Sequence, residues 1–408
     1  MPSSVGSRLS LRPVAAGDCP AAITRSVRRW TGVLRRLSFS LRPTGSILLI
    51  SFVPRAACDP HPGALAVRAM IMAAGLGTRL RPLTNLMPKP MAPVLNVPVM
   101  EHIARLLAGH GFDEVICNLS YMPEAIREHF GDGSRAGISL SYSEEPEPLG
   151  TAGGVGKARE FLAATESFLV ISGDALTDGD LRSLAAAHEA NDGIATLATK
   201  RVADTAQFGV AITGEDDRIH GFQEKPDPAE ALSNLANCGI YVFRREIFDH
   251  FPDPDAPSPA GDAEQPRGFA DWATDVFPAL LEEDVPFYSH EVDDDTYWND
   301  IGSVSEFVQG NVDALSGEVS LQAPGVEVEP GVLAGAESSF EGAWLKAPVL
   351  IGSGCRVDPG AGLCGPVVVG DGAEIAGGAR LRHAVVLAGA RVPERATVFG
   401  GVFGTKPA

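Results

Sequence analysis

The chain has few cysteines, no long apolar run and no excess of positive charge, and each shortage excludes something. Its cysteines number six, at positions 19, 58, 117, 238, 355 and 364, and they form no CxxC pair and no zinc spacing. Reduced, mostly buried thiols are therefore the expectation. The apolar patch Ile47 to Val53 falls well short of the ~20 residues that a membrane helix needs. A net charge of -19 argues against nucleic acid as a partner, because a phosphate backbone is bound through basic surface. No Ser/His/Asp arrangement stands out, and no covalent intermediate is called for. These absences leave a soluble, cytoplasmic protein with no membrane and no nucleic-acid partner, although a local cluster of cations could still hold a nucleotide.

What is present is size and an uneven charge. With 408 residues, 45% apolar and 21% charged, the chain has room for two domains and an appendage. Residues 1–68 carry a balance of +8 and the remainder carries -27. This Arg-rich, Ser-rich leader could be a targeting peptide. The preferred reading is a disordered tail or a mis-assigned start, since the pattern of a folded core begins at Ala69.

The richest stretch is Ala69 to Met91, AMIMAAGLGTRLRPLTNLMPKPM. Met70 to Ala74 has the length of a buried parallel strand. Gly75 and Gly77 let the backbone turn and approach a ligand, and Arg79, Arg81 and Lys89 supply cations. No Gly-Lys-Ser/Thr follows, so it is not a P-loop. Leu80 stands where a dinucleotide fingerprint needs its third glycine. The spacing resembles the signature of the sugar-phosphate nucleotidylyltransferases, roughly GGxGTRLxPLTxxxPKP, with Ala74 at a position where many members have glycine.

That resemblance implies transfer of a nucleotidyl group from a nucleoside triphosphate to a sugar 1-phosphate, with release of pyrophosphate. It places Arg79 toward the β- and γ-phosphates and Lys89 toward the α-phosphate, with Ala74, Gly75, Leu76, Gly77 and Thr78 lining the nucleotide. Pro88 and Pro90 are expected to hold Lys89 in an extended segment. Asp174 in SGDALTD and Asp300 in YWNDIGS match the family's Mg²⁺ ligands. Lys225 and Glu224 in GFQEKP, with Gly209 and Asn237, match its sugar-phosphate pocket. Arg79, Lys89, Asp174 and Lys225 are thus the expected catalytic set. In PLGTAGG, Gly150, Thr151 and Gly153 are expected at the base, the glycines allowing close approach and the helix that starts there presenting amides. The GTAGG form looks like the mannose-1-phosphate guanylyltransferase branch, so GTP is favoured. A glucose-1-phosphate uridylyl- or thymidylyltransferase, or a silent sugar-nucleotide-binding regulatory subunit, are the alternatives.

Along the chain, strands are expected at Met70–Ala73, Glu114–Asn118, Ser139–Ser143, Phe168–Ile171 and Ala195–Lys200, with helices at Val99–Gly109, Glu124–Phe130 and Ala152–Leu162. This alternation predicts an α/β, Rossmann-like, mostly parallel sheet with helices on both faces, over residues 69–315, its ligand at the strands' carboxyl ends. Pro252 to Arg267 reads as a loop without chemistry, and Ser316 to Gly325 as a linker. Leu345, Ile351, Val357, Leu363, Val369, Ile375, Leu381 and Leu387 then recur every six residues, with Leu333 in the same register though Ser339 interrupts it, and a slip near Val392 and Val398. This resembles the hexapeptide repeat of a C-terminal left-handed parallel β-helix, residues 326–405. Its only candidate base for acetyl transfer is His383, so an assembly or regulatory role is preferred and a homo-oligomer expected.

Overall fold

In the computed structural model, residues 67–252 and 266–404 are described. The expectations for the leader, for Cys19 and Cys58, and for the body of the Pro252–Arg267 loop lie outside those residues. No helix among the described residues is long and apolar enough to cross a membrane.

The larger part begins with β1 (Arg68–Met72) and a short hairpin of β2 (Pro93–Val94) and β3 (Val97–Pro98), then α1 (Val99–His110), β4 (Glu114–Leu119), α2 (Pro123–Phe130) and β5 (Ser139–Glu144). Next come α3 (Gly150–Lys157), α4 (Arg159–Leu162), β6 (Ser167–Ser172), β7 (Ala175–Thr177), α5 (Leu181–Ala190) and β8 (Ala195–Arg201). It closes with β9 (Gly209–Thr213), β10 (Ile219–Glu224), β11 (Leu235–Arg244), α6 (Phe277–Glu282), β12 (Tyr288–Glu291), β13 (Trp298–Asp300) and α7 (Val304–Ser316). All five expected strands are present. The expected helix Ala152–Leu162 is two helices, α3 and α4, parted at Ala158.

The sheet runs β10-β9-β11-β6-β1-β4-β5, with β8 joining β11 to β12. Its centre, β6-β1-β4-β5, is parallel, and the antiparallel β11 extends it beyond β6. The middles of β1, β4 and β6, Ala69–Met72, Val115–Cys117 and Phe168–Ile171, are apolar without interruption because both faces are covered, whereas β5 at the edge alternates. In β1, Ala69 and Ile71 enter one core and Met70 the other; in β6, Leu169 and Ile171 enter the first and Phe168 and Val170 the second. Helix α1 covers the first face through Val99, Ile103, Ala104 and Leu107, and ends where Gly111 takes φ 85°.

Parallel strands of hexapeptide repeats form the second part, stacked coil on coil: Val349–Ile351 pairs with Val367–Val369, and Trp344–Lys346 with Gly362–Cys364, each 18 residues on. The repeat has two slips that the sequence reading misplaced. Ala334, not Leu333, stacks on Ile351, because the first coil is one residue short, and Leu333 points outward onto Leu350's column. The second slip falls at His383, where Cys364 pairs with Arg382 but Val367 with Ala384. Val386, rather than Leu387, therefore continues the interior column, and Val392 stacks on Ile375 in the new register.

The outward column Leu350, Val368 and Val385 is buried against the larger part, in one core with Phe307, Val308 and Ala314 of α7. Removing three such side chains from water contributes roughly 2 kcal/mol each. Ser320, in the segment expected to be a linker, donates its N–H to Asp178 at 3.0 Å, and Val319 is buried, so the connection is tied down.

Candidate active site

The carboxyl ends of the parallel strands open on a cleft of about 360 Å³. Its wall includes Ala74, Gly75, Gly77, Thr78 and Arg79 after β1, Asn118 at the end of β4, Glu145 after β5, and Ser172 and Asp174 at the end of β6. Thus the strand-end rule places the site where the topology requires. The turn after β1 is shaped by Gly77, at φ 60°. A Cβ there would lie 2.9 Å from both Lys89 Cβ and Thr84 Cγ2, so the glycine lets the Lys89 stem pack against the turn. Gly75 has open space where a Cβ would be. Leu76 is exposed outside the cleft wall.

Lys89 lies in a single 3-10 turn, Lys89–Met91, and not in the extended segment expected from its two prolines. Pro90 is tolerated because the second residue of such a turn has no N–H partner to lose. The Lys89 ammonium pairs with Asp174 Oδ2 and, at 3.2 Å, with Asp300 Oδ1. These aspartates, distant in sequence, meet because β7 and β13 pair antiparallel with Asp300 opposite Ala175. Ile301 also donates its N–H to Asp174 O at 3.1 Å. Ser172 Oγ donates to Asp174 Oδ1 at 2.5 Å, and Arg79 reaches Asp300 Oδ2 at 3.9 Å.

The electrostatics of the trio are unequal. Burial pushes the Asp174 carboxyl up, but the Lys89 charge and the hydrogen bonds from Lys89 and Ser172 outweigh it and hold the group below its ordinary value. Asp300 goes the other way. Burial and the neighbouring Asp174 charge raise it, Glu306 adds to this, and Lys89 only partly offsets them. Burial lowers Lys89, yet the two carboxylates raise it further, so it stays an ammonium.

The residues expected at the sugar phosphate form a second group. Glu224 and Gly209 are cross-strand partners, and a Cβ on Gly209 would lie 2.9 Å from Glu224 Oε2. Lys225 pairs with Glu224 and takes φ 45°, its N–H donating to Phe208 O at 3.1 Å. Asn237 donates to Tyr241 Oη at 3.0 Å and accepts from the Gly239 N–H. Strand β13 links the groups: Trp298 packs 5.0 Å from Phe208 and donates to Cys238 O, two residues before Asp300.

At the expected base site, Gly150 and Thr151 line the cleft, but the glycines serve a different purpose from the one expected. A Cβ on Gly150 would lie 2.4 Å from Ala270 O, and one on Gly153 2.3 Å from Gly268 O. The Ala152 and Gly153 amides donate to Ala270 O at 2.9 and 3.0 Å. The glycines and the helix N-terminus therefore hold the chain's own segment 268–270, and those amides are not open to a ligand. Thr151 Oγ1 donates to Asp271 Oδ2 at 2.8 Å, which brings Asp271 into the cleft wall.

Sequence reasoning missed Asn118, Glu145, Asp271 and Ser172. Asn118 accepts from the Ala73 N–H at 2.6 Å and donates to Glu145 Oε1 at 2.8 Å, while Glu145 Oε2 accepts from the Leu149 N–H at 3.1 Å. Glu145 is 3% exposed, and burial raises its carboxyl despite these hydrogen bonds. Asn118 lies one residue from the end of β4, which was the signal available for it, whereas Glu145 follows β5 within an acidic run.

A family profile described as nucleotidyl transferase matches residues 68–317, and one described as bacterial transferase hexapeptide (six repeats) matches 348–383. A UTP–glucose-1-phosphate uridylyltransferase of Synechocystis sp. is 38% identical over 309 residues, 72% of this chain and 76% of the relative. A mannose-1-phosphate guanylyltransferase of Mycobacterium tuberculosis is 36% identical over 296 residues, 72% of this chain and 77% of the relative. A Bacillus anthracis structure named as a glucose-1-phosphate thymidylyltransferase superposes with a TM-score of 0.54 at 23% identity, covering 63% of this chain and 98% of the other, which is a likeness of fold.

Proposed function

On the premise that this chain belongs to the nucleotidyl transferase family and carries hexapeptide repeats, we propose that it joins a nucleoside triphosphate to a sugar 1-phosphate, with GTP and mannose 1-phosphate as the pair. The observation that carries the reading is the Lys89 ammonium set between Asp174 and Asp300 beside the Gly75–Arg79 turn. A phosphate oxygen of the sugar phosphate attacks the α-phosphorus, the bond to the bridging oxygen breaks, and pyrophosphate leaves with the electron pair. The obstacle is repulsion between two anions, so fixed cations do most of the work. Arg79 steadies the β- and γ-phosphates, and Lys89 turns its charge to the α-phosphate. Lys225 holds the sugar's phosphate, with Glu224, Gly209 and Asn237 around its hydroxyls.

Asp174 and Asp300 fit Mg²⁺. No cluster of three or more metal-ligating side chains occurs among the described residues, and Mg²⁺ needs only one or two carboxylates plus phosphates and water. The raised Asp300 carboxyl beside Asp174 is the local surplus of negative charge that a divalent cation would relieve. Bound there, the ion would neutralise charge on the phosphates.

For the base, Glu145 supports guanine. Its buried carboxylate faces a cleft in which a guanine edge would bring two N–H donors, whereas a uracil edge brings one between two carbonyls. The Synechocystis relative favours a second reading, UTP with glucose 1-phosphate. A silent regulatory subunit is disfavoured because Lys89, Asp174 and Asp300 are all in place. The domain limits 1–68, 69–315 and 326–405 and a left-handed coil complete the reading. The exposed Trp344 and Phe399 on the repeat domain support a homo-oligomer.

The test is to incubate the protein with each of four nucleoside triphosphates and a panel of sugar 1-phosphates, and to measure pyrophosphate. GTP with mannose 1-phosphate should be the fastest pair. No pyrophosphate from any pair would overturn the reading.

A further inference from the structure

Helix α7 touches three things at once, and Asn311 stands at the middle of it. Asn311 is 1% exposed and fully hydrogen-bonded. Its Oδ1 accepts from the Leu95 N–H at 3.0 Å, and its Nδ2 donates to Pro93 O at 3.1 Å and to Phe307 O at 3.0 Å. It therefore clasps the β2–β3 hairpin onto α7. That hairpin turns at Leu95 and Asn96, both at positive φ, 51° and 62°, a conformation a non-glycine pair keeps only when its surroundings fix it.

The hairpin in turn is the continuation of the Lys89 turn. Ala92 donates its N–H to Lys89 O at 3.1 Å, and Val99 donates to Ala92 O at 3.0 Å, so the place of Pro93 constrains the place of Lys89. The start of α7 carries the other partner. Ser303 caps the helix, accepting from the Glu306 N–H, and Glu306 Oε2 accepts from the Gly302 N–H at 3.1 Å, two residues after Asp300. The flank of α7 packs on Leu350, Val368 and Val385 of the repeat domain, and Asn96 Nδ2 donates to Val369 O at 2.9 Å.

We propose that Asn311 is a positioning residue for nucleotidyl transfer: by tying the β2–β3 hairpin to α7, it fixes the distance between Lys89 and Asp300, and through Asn96 the repeat domain braces the same contact. The inference rests on the reading of Lys89 and Asp300 given above. Small displacements of a charged group at a phosphate cost far more in rate than in binding. The repeat domain then acts on the reaction as a rigid support, in addition to any role in assembly.

The test compares the full-length protein with Asn311→Leu, which keeps the branched shape of the side chain and removes both cross-links, and with Asn96→Ala, which removes the contact to the repeat domain and leaves the Asn311 bonds in place. Two readouts are needed. The first is kcat and KM for GTP and mannose 1-phosphate: Asn311→Leu should lower kcat at least tenfold with KM changed less than threefold, and Asn96→Ala should lower it by a smaller factor. The second needs no turnover. Acylation of Lys89 by acetic anhydride, followed by mass spectrometry, should speed up severalfold in Asn311→Leu as the ammonium loses its fixed partners. Unchanged kcat and unchanged Lys89 labelling in a folded Asn311→Leu protein would overturn the proposal, even if its melting temperature fell. If that variant fails to fold, Asn96→Ala decides by the same two readouts. A wild-type protein with no nucleotidyl transfer would instead sink the function reading, and the labelling rates would still judge the positioning role.

Discussion

Replacing Lys89 by methionine keeps the stem that packs on Gly77 and removes only the charge between Asp174 and Asp300. The Lys89 and Asp174 side chains are 13% and 16% exposed and Asp300 is 29% exposed, so the pair with Asp174 is nearly buried and the one with Asp300 is partly wet. Breaking a buried pair costs ~3–5 kcal/mol because a charge is left without compensation. With Asp300 discounted for water, Lys89→Met should cost about 2–3 kcal/mol at pH 7 in metal-free buffer. The penalty has a definite pH sign. Asp174, held low by Lys89 in the wild type, loses that support and rises because burial remains. The cost should therefore shrink as the pH falls toward the ordinary carboxyl range of about 4, where both aspartates take up protons. Urea unfolding at pH 7 and pH 4.5 measures this, and adding Asp300→Asn should return part of the loss by removing one of the two repelling charges. Equal stability of wild type and Lys89→Met at pH 7, with no gain from the second substitution, would refute the view that Lys89 neutralises the pair.

Other outcomes follow from the same structure. Glu145→Gln should lower kcat/KM for GTP more than for UTP, at least tenfold in their ratio, and a ratio unchanged from wild type would remove Glu145 from base selection. Gly153→Ala gains ~1 kcal/mol of helix propensity but drives a Cβ into Gly268 O, so melting should show a net loss of about 1–3 kcal/mol and assays a raised KM for the triphosphate. His188 is fully buried, and burial, with the Arg244 charge, depresses its imidazolium from 6.5 to about 4. Since the unfolded chain takes up that proton first, its stability contribution is present above about pH 6.5 and lost as the pH falls toward 4, a change of about 3 kcal/mol that His188→Leu should abolish in acid denaturation.

The parallel core was legible because both faces of β1, β4 and β6 are covered, which leaves a continuous apolar run in the sequence. The same logic of strand ends led to Asp174 and could have led to Asn118. Glu145 was hidden in the acidic run SEEPEP, where nothing local separates a buried carboxylate from solvated ones. The glycines of GTAGG were read as ligand contacts because their true neighbours, Gly268 and Ala270, lie over a hundred residues away. In the repeat, Leu333 and Leu387 sit beside Ala334 and Val386, and an apolar residue on the wrong side of a slip keeps the period of six intact on paper. Only pairing between coils exposes the shift. Asn311 carries no local signal at all, because its partners come from a hairpin more than two hundred residues earlier.

The most direct test of nucleotidyl transfer follows the phosphorus atoms. GTP labelled with ³²P at the α- or at the γ-position is incubated with mannose 1-phosphate and the full-length protein, and the products are separated. Direct displacement predicts α-label in a nucleoside diphosphate sugar and γ-label in pyrophosphate, with both lost in Lys89→Met. Label from the γ-position appearing in free phosphate or on the sugar, with no α-label in a sugar nucleotide, would contradict the account.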